Sequence, residues 1–406
     1  MIVELTIDAL AAGGDGVGRE PSGRVVMVAR TAPGDRVRAR LVEEHTRWAR
    51  GELVEVVAPG PARVEAPCPL AATCGGCPWQ HVDLDAQRAA KTALVAGPLR
   101  RLVAGGLELR PIATPVAAWG WRRRARLHWI RPKGRPAVIG FFGARSRRIV
   151  DVAACPQLDP ALDAALGAVR GSLGSALRES GEIHLAAGAG GRVHVVVDGP
   201  VDPDAAAPLV GTAGIDGVVV RPRGARGGAV VHGAARIDLE PDLAGAADDF
   251  AQASAAGNDA LRAEVTAALG PGPGALLELF AGAGNFTRDA VAAGWTVTAS
   301  DRNPAPALAG TRWITGAADE VVAGLAAGGD AFDAVLLDPP RTGAREVCAV
   351  LGRLGARRVV YVSCDPPTLG RDAELLAGQG YTPRWARPLD LMPQTAHVEV
   401  VCLLER

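Results

Sequence analysis

The fold class of the second half of the chain is decided by one stretch, Ala275-Leu276-Leu277-Glu278-Leu279-Phe280-Ala281-Gly282-Ala283-Gly284-Asn285. Its first six residues form an almost continuous apolar run, which is typical of a strand buried on both faces of a parallel sheet. Gly282 and Gly284 allow the backbone to approach a ligand closely. Asp301 ends the next strand-like run, where it can accept hydrogen bonds from ribose hydroxyls. The stretch therefore predicts a nucleotide-type site, for either a nicotinamide dinucleotide or S-adenosylmethionine.

Further strand-like runs follow in alternation with helix-like stretches. They are Thr296–Ser300, Ala334–Leu337 and Val359–Val362. Strands that alternate with helices indicate a doubly wound parallel sheet. We therefore expect an α/β, Rossmann-like domain over residues 251–406.

The first part of the chain has a different pattern. Residues 1–60 contain short alternating runs broken by Gly13-Gly14-Asp15-Gly16 and Pro33-Gly34-Asp35. Turn residues at such short spacing are typical of a small β-barrel. Residues 61–250 hold three clustered cysteines, a helix-like stretch and further strand-like runs, which predicts a β-rich central domain.

Charge is distributed unevenly, although the 406-residue chain has 44 basic and 44 acidic residues. Residues 1–150 contain 24 Lys or Arg and 13 Asp or Glu, while the remainder contains 20 and 31. This asymmetry favours a polyanion-binding front half joined to a different module. No stretch has the roughly 18 consecutive apolar residues of a membrane span, and the acidic start of the chain does not match a secretory signal. We expect a soluble, cytoplasmic monomer without a membrane partner.

Three segments in the second half carry groups suited to chemistry. Asp338 follows a buried apolar run and begins Asp338-Pro339-Pro340-Arg341, a stiff loop at the strand end where doubly wound folds bind ligands. Cys364 follows the next run, in a position that suits an attacking thiolate. Glu399 precedes the last apolar run and is a candidate general base. Taken singly, each could instead be a capping or core residue. Cys402 lies within an apolar run and is expected in the core.

Three of the seven cysteines lie within ten residues of one another. The spacing is Cys68-x5-Cys74-x2-Cys77, and Cys155 follows far downstream. An odd cysteine count argues against a disulfide framework. Four thiolates suit either an iron–sulfur cluster or zinc. The x5 gap and the fourth cysteine disfavour the C-x3-C-x2-C triad of radical S-adenosylmethionine enzymes.

Together these motifs make the chain resemble the RNA (uracil-5-)-methyltransferase family. The resemblance rests on the glycine turn with Asn285, Asp-Pro-Pro-Arg-x-Gly at 338–343, Ser-Cys-Asp-Pro at 363–366 and Pro-x-Thr-x-His-x-Glu at 393–399. Residues 1–60 resemble the TRAM domain, a small RNA-binding barrel, and residues 121–126 resemble the start of the family's central RNA-binding domain. The cysteine pattern is similar to the family's [4Fe-4S] site. This resemblance implies metal ligation by Cys68, Cys74, Cys77 and Cys155.

The resemblance also implies a reaction and a role for each site residue. Cys364 would add to carbon 6 of uracil, carbon 5 would take the methyl group of S-adenosylmethionine, and Glu399 would remove the carbon-5 proton. The implied cofactor-binding set is Gln252, Phe280, Gly282, Gly284, Asn285, Asp301 and Asp338, of which Gln252 and Asp338 would contact the uracil edge or the methionine end of the cofactor. Basic residues 121–126, with Trp121 and Trp129, would grip phosphates and stack bases.

The substrate and some details stay open at this point. The TRAM-like domain with the cysteine cluster favours 23S ribosomal RNA, a tRNA uridine is the alternative, and a non-catalytic RNA-binding protein is the competing class. The chain departs from the family pattern where Ser254 replaces Asn, Glu278 replaces Asp, Asp365 replaces Asn and Ala396 replaces His. None of these changes touches Cys364 or Glu399, so they bear on substrate details more than on reaction type.

Overall fold

The structure, a computed structural model, describes residues 1–222, 228–240, 243–304 and 308–406. It divides into two compact units. The N-terminal unit comprises residues 1–87, 116–255 and 392–396, and the C-terminal unit comprises residues 88–115, 256–391 and 397–406. Among the described residues, no helix is both long enough and apolar enough to cross a membrane.

A closed barrel begins the N-terminal unit. Its strands follow the order β1-β2-β3-β5-β4 around the barrel. Their bounds are β1 Ile2–Leu10, β2 Gly16–Arg19, β3 Val25–Val28, β4 Arg36–Glu44 and β5 Trp48–Ala58. Alternate side chains point inward and form an apolar core that includes Ile7, Val26 and Val37, as the two-residue period of a strand requires. The small β-barrel expected at the start of the chain is confirmed.

A seven-stranded sheet forms the centre of the N-terminal unit, in the order β13-β12-β11-β10-β7-β8-β9. Helix α2, Pro160–Leu173, packs on one face and shares its apolar core. The sheet strands are β7 Arg124–Ile130, β8 Val138–Phe142, β9 Ile149–Asp151, β10 Ser180–Ala187, β11 Val193–Asp198, β12 Ile215–Arg221 and β13 Val230–Gly233, and a separate pair is β14 Ile237–Glu240 and β15 Leu243–Gly245. Short 3₁₀ helices span Ala189–Gly191 and Pro203–Leu209.

An eight-stranded sheet organises the C-terminal unit, in the order β18-β17-β16-β19-β20-β22-β21-β6. Strands β16 to β20 are parallel, and β22 is antiparallel to both β20 and β21. The strand bounds are β6 Glu108–Leu109, β16 Gly274–Leu279, β17 Trp295–Asp301, β18 Thr311–Thr315, β19 Ala334–Leu337, β20 Arg358–Ser363, β21 Thr382–Leu389 and β22 Glu399–Glu405. The doubly wound α/β fold expected for this half is confirmed.

Helices cover both faces of this sheet and enclose two apolar cores. Their bounds are α1 Leu84–Ala104, α3 Ala255–Leu269, α4 Thr287–Ala292, α5 Ala318–Gly328, α6 Arg345–Val350 and α7 Pro366–Ala377, with a 3₁₀ helix at Leu351–Leu354. Leu277 and Leu279 face one core, whereas Leu276 faces the other. Burial on both faces explains the continuous apolar runs of these strands. Cys402 is fully buried, as expected from the sequence.

The strand order reverses between β16 and β19. Strand β17 lies on one side of β16 and β19 on the other. In open α/β sheets, ligands bind at the carboxyl ends of the strands next to such a reversal. The ends of β16 and β19 carry Phe280 and Asp338, so the topology locates the candidate site there.

One buried ion pair stabilises the C-terminal unit. Lys91 of α1 donates to Asp390, and both side chains are almost completely buried. We expect Lys91→Met to lower the free energy of unfolding of this unit by about 3–5 kcal/mol, because it leaves a buried carboxylate without its counter-charge. Calorimetry of the full chain measures the effect. Arg101→Gln, which breaks the exposed pair with Glu374, is the matched control and should cost at most about 1 kcal/mol. Equal losses in the two variants would contradict the prediction.

Candidate active site

A tight glycine turn follows β16 and begins the candidate cofactor site. Phe280, Gly282 and Gly284 all have positive φ angles, of 63°, 58° and 84°. The φ angle of Gly284 favours glycine, and a side chain at this position would also displace the Leu308 Cδ1 atom, which it would meet at 2.1 Å. Positive φ is unusual for an aromatic residue, and such strain is concentrated at functional sites. The sequence located this turn correctly, but it gave no sign of the strained Phe280.

Asp301 closes the turn from the end of β17. Its Oδ2 accepts a hydrogen bond from the Gly282 N–H at 2.9 Å, and its Oδ1 accepts one from the Asn303 N–H at 2.9 Å. Asp301 and Asn303 line a cavity of about 450 Å³, a volume typical of small-molecule sites. Ser300 also lines this cavity, and its buried Oγ finds no hydrogen-bond partner among the described residues. The cavity therefore offers a polar group that a bound cofactor could satisfy.

Asn285 forms a reciprocal side-chain pair with Asn258 of α3. The two N–H···O distances are 3.0 and 2.8 Å. This pair fixes the end of the glycine turn to α3. The side-chain amide of Asn285 still has a second N–H donor and a second lone pair on its oxygen for a ligand. Below the turn, Thr287 donates from Oγ1 to the buried carboxyl of Glu278 at 2.6 Å.

Strand pairing brings Cys364 and Glu399 together. Cys364 follows the last residue of β20, and Glu399 is the first residue of the antiparallel strand β22. Ser363 pairs with Val400 at the end of this ladder, so Cys364 and Glu399 occupy neighbouring positions on adjacent strands. Asp338 follows the last residue of β19, the strand on the other side of β20. Three residues that are distant in sequence thus lie at one edge of the sheet.

These acidic side chains share a poorly solvated environment. Burial raises the pKa of Glu399 to about 8 and that of Asp338 to about 7. Burial also raises the pKa of Glu278 to about 8. The pKa of the Cys364 thiol is raised, first by burial and then by the charges of Glu399 and Asp338. Shifts of this kind are frequent in active sites.

Arg341 is a candidate functional residue to which the sequence pattern assigned no role. Its guanidinium opposes the rise in the pKa of both Cys364 and Glu399. It also lies 3.3 Å from the Nδ1 atom of His397, measured from Nη2. The motif Asp-Pro-Pro-Arg contained the signal, but only the fold shows that this charge faces the thiol and the base.

A buried carboxylate fixes the loop that carries Arg341. Asp372 of α7 accepts hydrogen bonds from the Ala344 N–H and the Tyr361 hydroxyl, both at 2.7 Å. A side chain at Gly343 would approach the Asp372 Oδ2 atom to 2.5 Å. The loop after Asp338 is therefore held in one position from α7 and β20.

Gln252 lies in the N-terminal unit, whereas the other candidate catalytic and cofactor-binding residues belong to the C-terminal unit. It is half-buried, and its main-chain oxygen accepts a hydrogen bond from Arg123 Nε at 3.0 Å. Its proposed contact with substrate or cofactor remains a prediction.

The four clustered cysteines line one cavity of about 390 Å³ in the N-terminal unit. Burial raises the pKa of Cys155, and the main-chain N–H groups of Gln157 and Leu158 oppose this rise. The Leu158 N–H donates a hydrogen bond to the Cys155 carbonyl oxygen at 3.0 Å. The Gln80 side chain opposes the rise in the pKa of Cys77. Burial raises the pKa of Cys77 to about 11. As the side chains stand, no three His, Cys, Asp or Glu residues of the described chain converge on a single-ion site.

Polar groups around this cavity lack partners of their own. Gln157 is 1% exposed, and neither its Nε2 nor its Oε1 has a hydrogen-bond partner in the described chain. Arg122 also lines the cavity, together with Gln80 but without any Asp or Glu. A cavity with four thiols, a cation and a free amide is chemically suited to an anionic metal–thiolate centre.

The expected base-stacking role of Trp121 and Trp129 is wrong. Trp121 is 7% exposed and Trp129 is fully buried, so neither can stack on a base. Trp129 lies on the face of β7 that packs against α2. Two of the basic residues near them are also structural, since Arg123 forms a buried ion pair with Glu240 and Arg124 donates to the Ala251 carbonyl oxygen.

The fold and the candidate site together define the class of enzyme. A doubly wound sheet with a glycine turn and an acidic residue at the end of the second strand of the domain is the architecture of an S-adenosylmethionine-dependent methyltransferase. Residues 2–54 match the model of the TRAM domain, and residues 321–406 match that of the tRNA (Uracil-5-)-methyltransferase family. A solved tRNA (uracil-54, C5)-methyltransferase from Pyrococcus abyssi shares the fold, with a TM-score of 0.74, 23% identity and coverage of 99% of this chain and 100% of that one.

Relatives extend the match over the whole chain. The 23S rRNA (uracil(1939)-C(5))-methyltransferase RlmD of Pseudomonas entomophila is 34% identical, covering 99% of this chain and 93% of that protein. The RlmD of Methylococcus capsulatus is also 34% identical, with coverage of 98% and 96%. An uncharacterized RNA methyltransferase of Gloeobacter violaceus is 32% identical, with coverage of 100% and 96%. The chain belongs to the S-adenosylmethionine-dependent RNA (uracil-5-)-methyltransferase family.

The electrostatics of the site predict how Cys364 responds to pH. Its alkylation by iodoacetamide should increase with pH to a midpoint above the usual thiol pKa of 9, because burial and the negative charge of Glu399 disfavour the thiolate. Glu399→Gln should lower this midpoint, because it removes the repelling charge. Peptide mass spectrometry measures each cysteine separately.

Cys402 is the internal control for this measurement. It is fully buried, its pKa is about 12, and it should stay unmodified in both proteins. A midpoint below pH 8 in the unaltered protein, or slower labelling of Cys364 in the glutamine variant, would contradict the assignment.

Proposed function

We propose that this protein methylates carbon 5 of one uridine in 23S ribosomal RNA. The adjacency of Cys364 and Glu399 at the paired ends of β20 and β22 carries the proposal, because this chemistry needs a nucleophile and a base beside one substrate ring. The ribosomal substrate is supported by full-length relatives that are named for uracil 1939 of 23S rRNA. A tRNA uridine is the alternative substrate.

Cys364 begins the reaction. Its thiolate adds to carbon 6 of uracil, and the electron pair of the 5,6 double bond moves to carbon 5 as an enolate. Carbon 5 then forms a bond to the methyl group that S-adenosylmethionine supplies, which leaves S-adenosylhomocysteine. Addition is required because carbon 5 of uracil is otherwise a poor nucleophile. Arg341 favours the thiolate form of Cys364 through its positive charge.

Glu399 completes the reaction. Its carboxylate accepts the proton of carbon 5, and the electron pair of that bond restores the double bond as the bond from carbon 6 to Cys364 breaks. A carboxyl group with a pKa of about 8 is a stronger base than an ordinary glutamate. The same burial keeps Glu399 protonated at lower pH, so turnover should increase as pH rises towards 8.

We assign the cofactor site to the cavity beside the glycine turn. Asp301 would accept hydrogen bonds from the ribose, and Phe280 lines the same cavity. Gly282, Gly284 and Asn285, in the turn that follows Phe280, would complete the cofactor site. The orphaned Ser300 Oγ supports a polar ligand at this place. Asp338 and Gln252 would contact the uracil edge or the methionine end of the cofactor.

The remaining domains would deliver the RNA. We assign residues 1–60 as an RNA-binding barrel, residues 61–250 as the central RNA-binding domain and residues 251–406 as the methyltransferase domain. The net charge of +11 over residues 1–150 favours phosphate binding. The target must be single-stranded or flipped out to reach the half-buried thiol of Cys364. A monomer in the cytoplasm suffices for this reaction.

Cys68, Cys74, Cys77 and Cys155 would hold a [4Fe-4S] cluster. Each iron of such a cluster takes one thiolate, so four sulfurs can surround a cavity as these do. The N–H groups that face Cys155 and the uncommitted Gln157 amide suit negatively charged sulfur. Because Cys364 supplies the nucleophile, the cluster would be structural and tie residues 68–77 to Cys155. Zinc is the alternative metal.

The mechanism predicts separate phenotypes for Cys364 and Glu399. Glu399→Gln should lower turnover by about 100- to 10,000-fold, since it removes a general base. It should still permit addition and methyl transfer, so a methylated protein–RNA adduct that resists denaturation should accumulate. Denaturing gels and mass spectrometry with a 23S rRNA fragment spanning the position of uracil 1939 measure both effects.

Cys364→Ala is the matched variant for this experiment. It should form no adduct and no product while it still binds S-adenosylhomocysteine, because the thiol is not part of the cofactor cavity. A tRNA transcript serves as the second substrate. Methylation of the tRNA alone would replace the ribosomal assignment, and normal turnover by Glu399→Gln would remove Glu399 from the role of base.

Metal analysis tests the cluster. Protein purified without oxygen should contain about four irons per chain and absorb broadly near 400 nm. Cys155→Ala should lose the iron and bind RNA more weakly, whereas Cys348→Ala, which changes a buried thiol in the C-terminal unit, should keep the iron. One zinc per chain without iron would overturn the cluster assignment.

A further inference from the structure

The central sheet exposes an aromatic pair that no role described above uses. The alternation of β7 places Leu127 and Trp129 in the apolar core, and His128 therefore lies on the opposite face. Phe142, the last residue of the neighbouring strand β8, stacks on His128 with ring centroids 3.9 Å apart and an interplanar angle of 21°. Phe142 is 38% exposed, so one aromatic surface is open to a partner.

Basic residues surround this pair. Residues 121–150 contain ten Lys or Arg and no Asp or Glu. The loop that follows Phe142 exposes Arg147 and Arg148, and the loop before β8 carries Lys133 and Arg135. Stacking surfaces combined with cationic loops are the common device of proteins that bind single-stranded nucleic acid.

The inner strands β10 and β11 of the same sheet carry acidic residues on this face. Glu182 of β10 pairs with Arg126 and lies 3.6 Å from His128, and Asp198 of β11 lies 3.6 Å from His184. Because Arg126 pairs with Glu182 and Arg221 lies 3.6 Å from Asp198, these inner strands carry little unpaired charge. The exposed Arg147 and Arg148 lie between β8 and the edge strand β9, so the charge distribution favours binding of a nucleic-acid strand at this side of the sheet.

We propose that one unpaired base of the RNA substrate stacks on Phe142, while Arg147 and Arg148 bind the adjacent phosphates. This inference rests on the proposed function for its substrate, and it replaces the stacking role that the sequence suggested for Trp121 and Trp129. His128 supports Phe142 from behind and limits its motion.

The cysteine cavity connects to this stacking surface. The Gly75 N–H donates to the Phe142 carbonyl oxygen at 3.0 Å, and Cys74 forms a β-bridge with Gly143. Phe142 itself lines the cavity. A cluster that holds the cysteine loop would therefore also fix the strand end that presents Phe142, which gives a structural cluster a part in RNA binding.

The test is the affinity of the full chain for the 23S rRNA fragment, measured by fluorescence anisotropy. Phe142→Leu keeps an apolar side chain but removes the aromatic face, and it should raise Kd by about 5- to 150-fold, the range for one base–aromatic stack. Phe142→Tyr should restore an affinity close to that of the unaltered protein. Val231→Ala, at an equally exposed apolar position on β13 at the far edge of the same sheet, should have no effect.

Two further readouts separate stacking from charge and from misfolding. Phe142→Leu should leave the slope of log Kd against log salt unchanged, whereas replacing Arg147 and Arg148 by Gln should reduce it by about 0.7 for each lost phosphate contact. With 2-aminopurine placed in turn at unpaired positions, one position should be quenched by the unaltered protein and not by Phe142→Leu. Iron content and S-adenosylhomocysteine binding of the variant report its folding.

The outcomes distinguish this inference from the proposed function. If the unaltered protein binds and methylates the fragment, and Phe142→Leu binds it within twofold with the same quenching, the stacking site is wrong and this face serves another partner. If the unaltered protein neither binds nor methylates the fragment, the proposed substrate fails instead.

Discussion

The antiparallel pairing of β22 with β20 is the constraint on which the chemistry of this protein depends. It brings a glutamate near the end of the chain beside a cysteine 35 residues earlier, at the edge of the sheet where the parallel strands end. A shift of one residue in this register would turn Glu399 to the other face of the sheet. The register is well specified because β22 is buried along almost its whole length.

Burial that stabilises the register also adjusts the reactivity of the site. The same apolar surroundings that hold β19, β20 and β22 raise the pKa of Asp338 and Glu399 and of the Cys364 thiol. Arg341, held by the loop that Asp372 fixes, is the opposing charge. Packing and reactivity are thus linked, because burial makes Glu399 a stronger base, while the positive charge of Arg341 partly offsets the loss of thiolate that burial causes at Cys364.

In the central sheet of the N-terminal unit, some residues pack in the core and others face outward, where they can contact a ligand. On β7, alternate residues enter the core or face outward, so Trp129 contributes packing while His128 contributes a surface. Arg123 also stabilises the fold, through its buried ion pair with Glu240. A basic, aromatic segment is therefore not an RNA site along its whole length. Only the residues that the pleat turns outward can contact a ligand.

The sequence by itself determined the fold class, the barrel at the start and the glycine turn, and it supplied the candidates for the nucleophile and the base. Continuous apolar strands and short motifs encode these features locally. Only the tertiary structure decided that Arg341 faces Cys364 and Glu399, that Phe280 is strained and that the Asn285 amide pairs with Asn258. It also decided that Trp129 is buried and Phe142 exposed. Strand register and burial set these relations between distant residues, and a linear pattern does not contain either one.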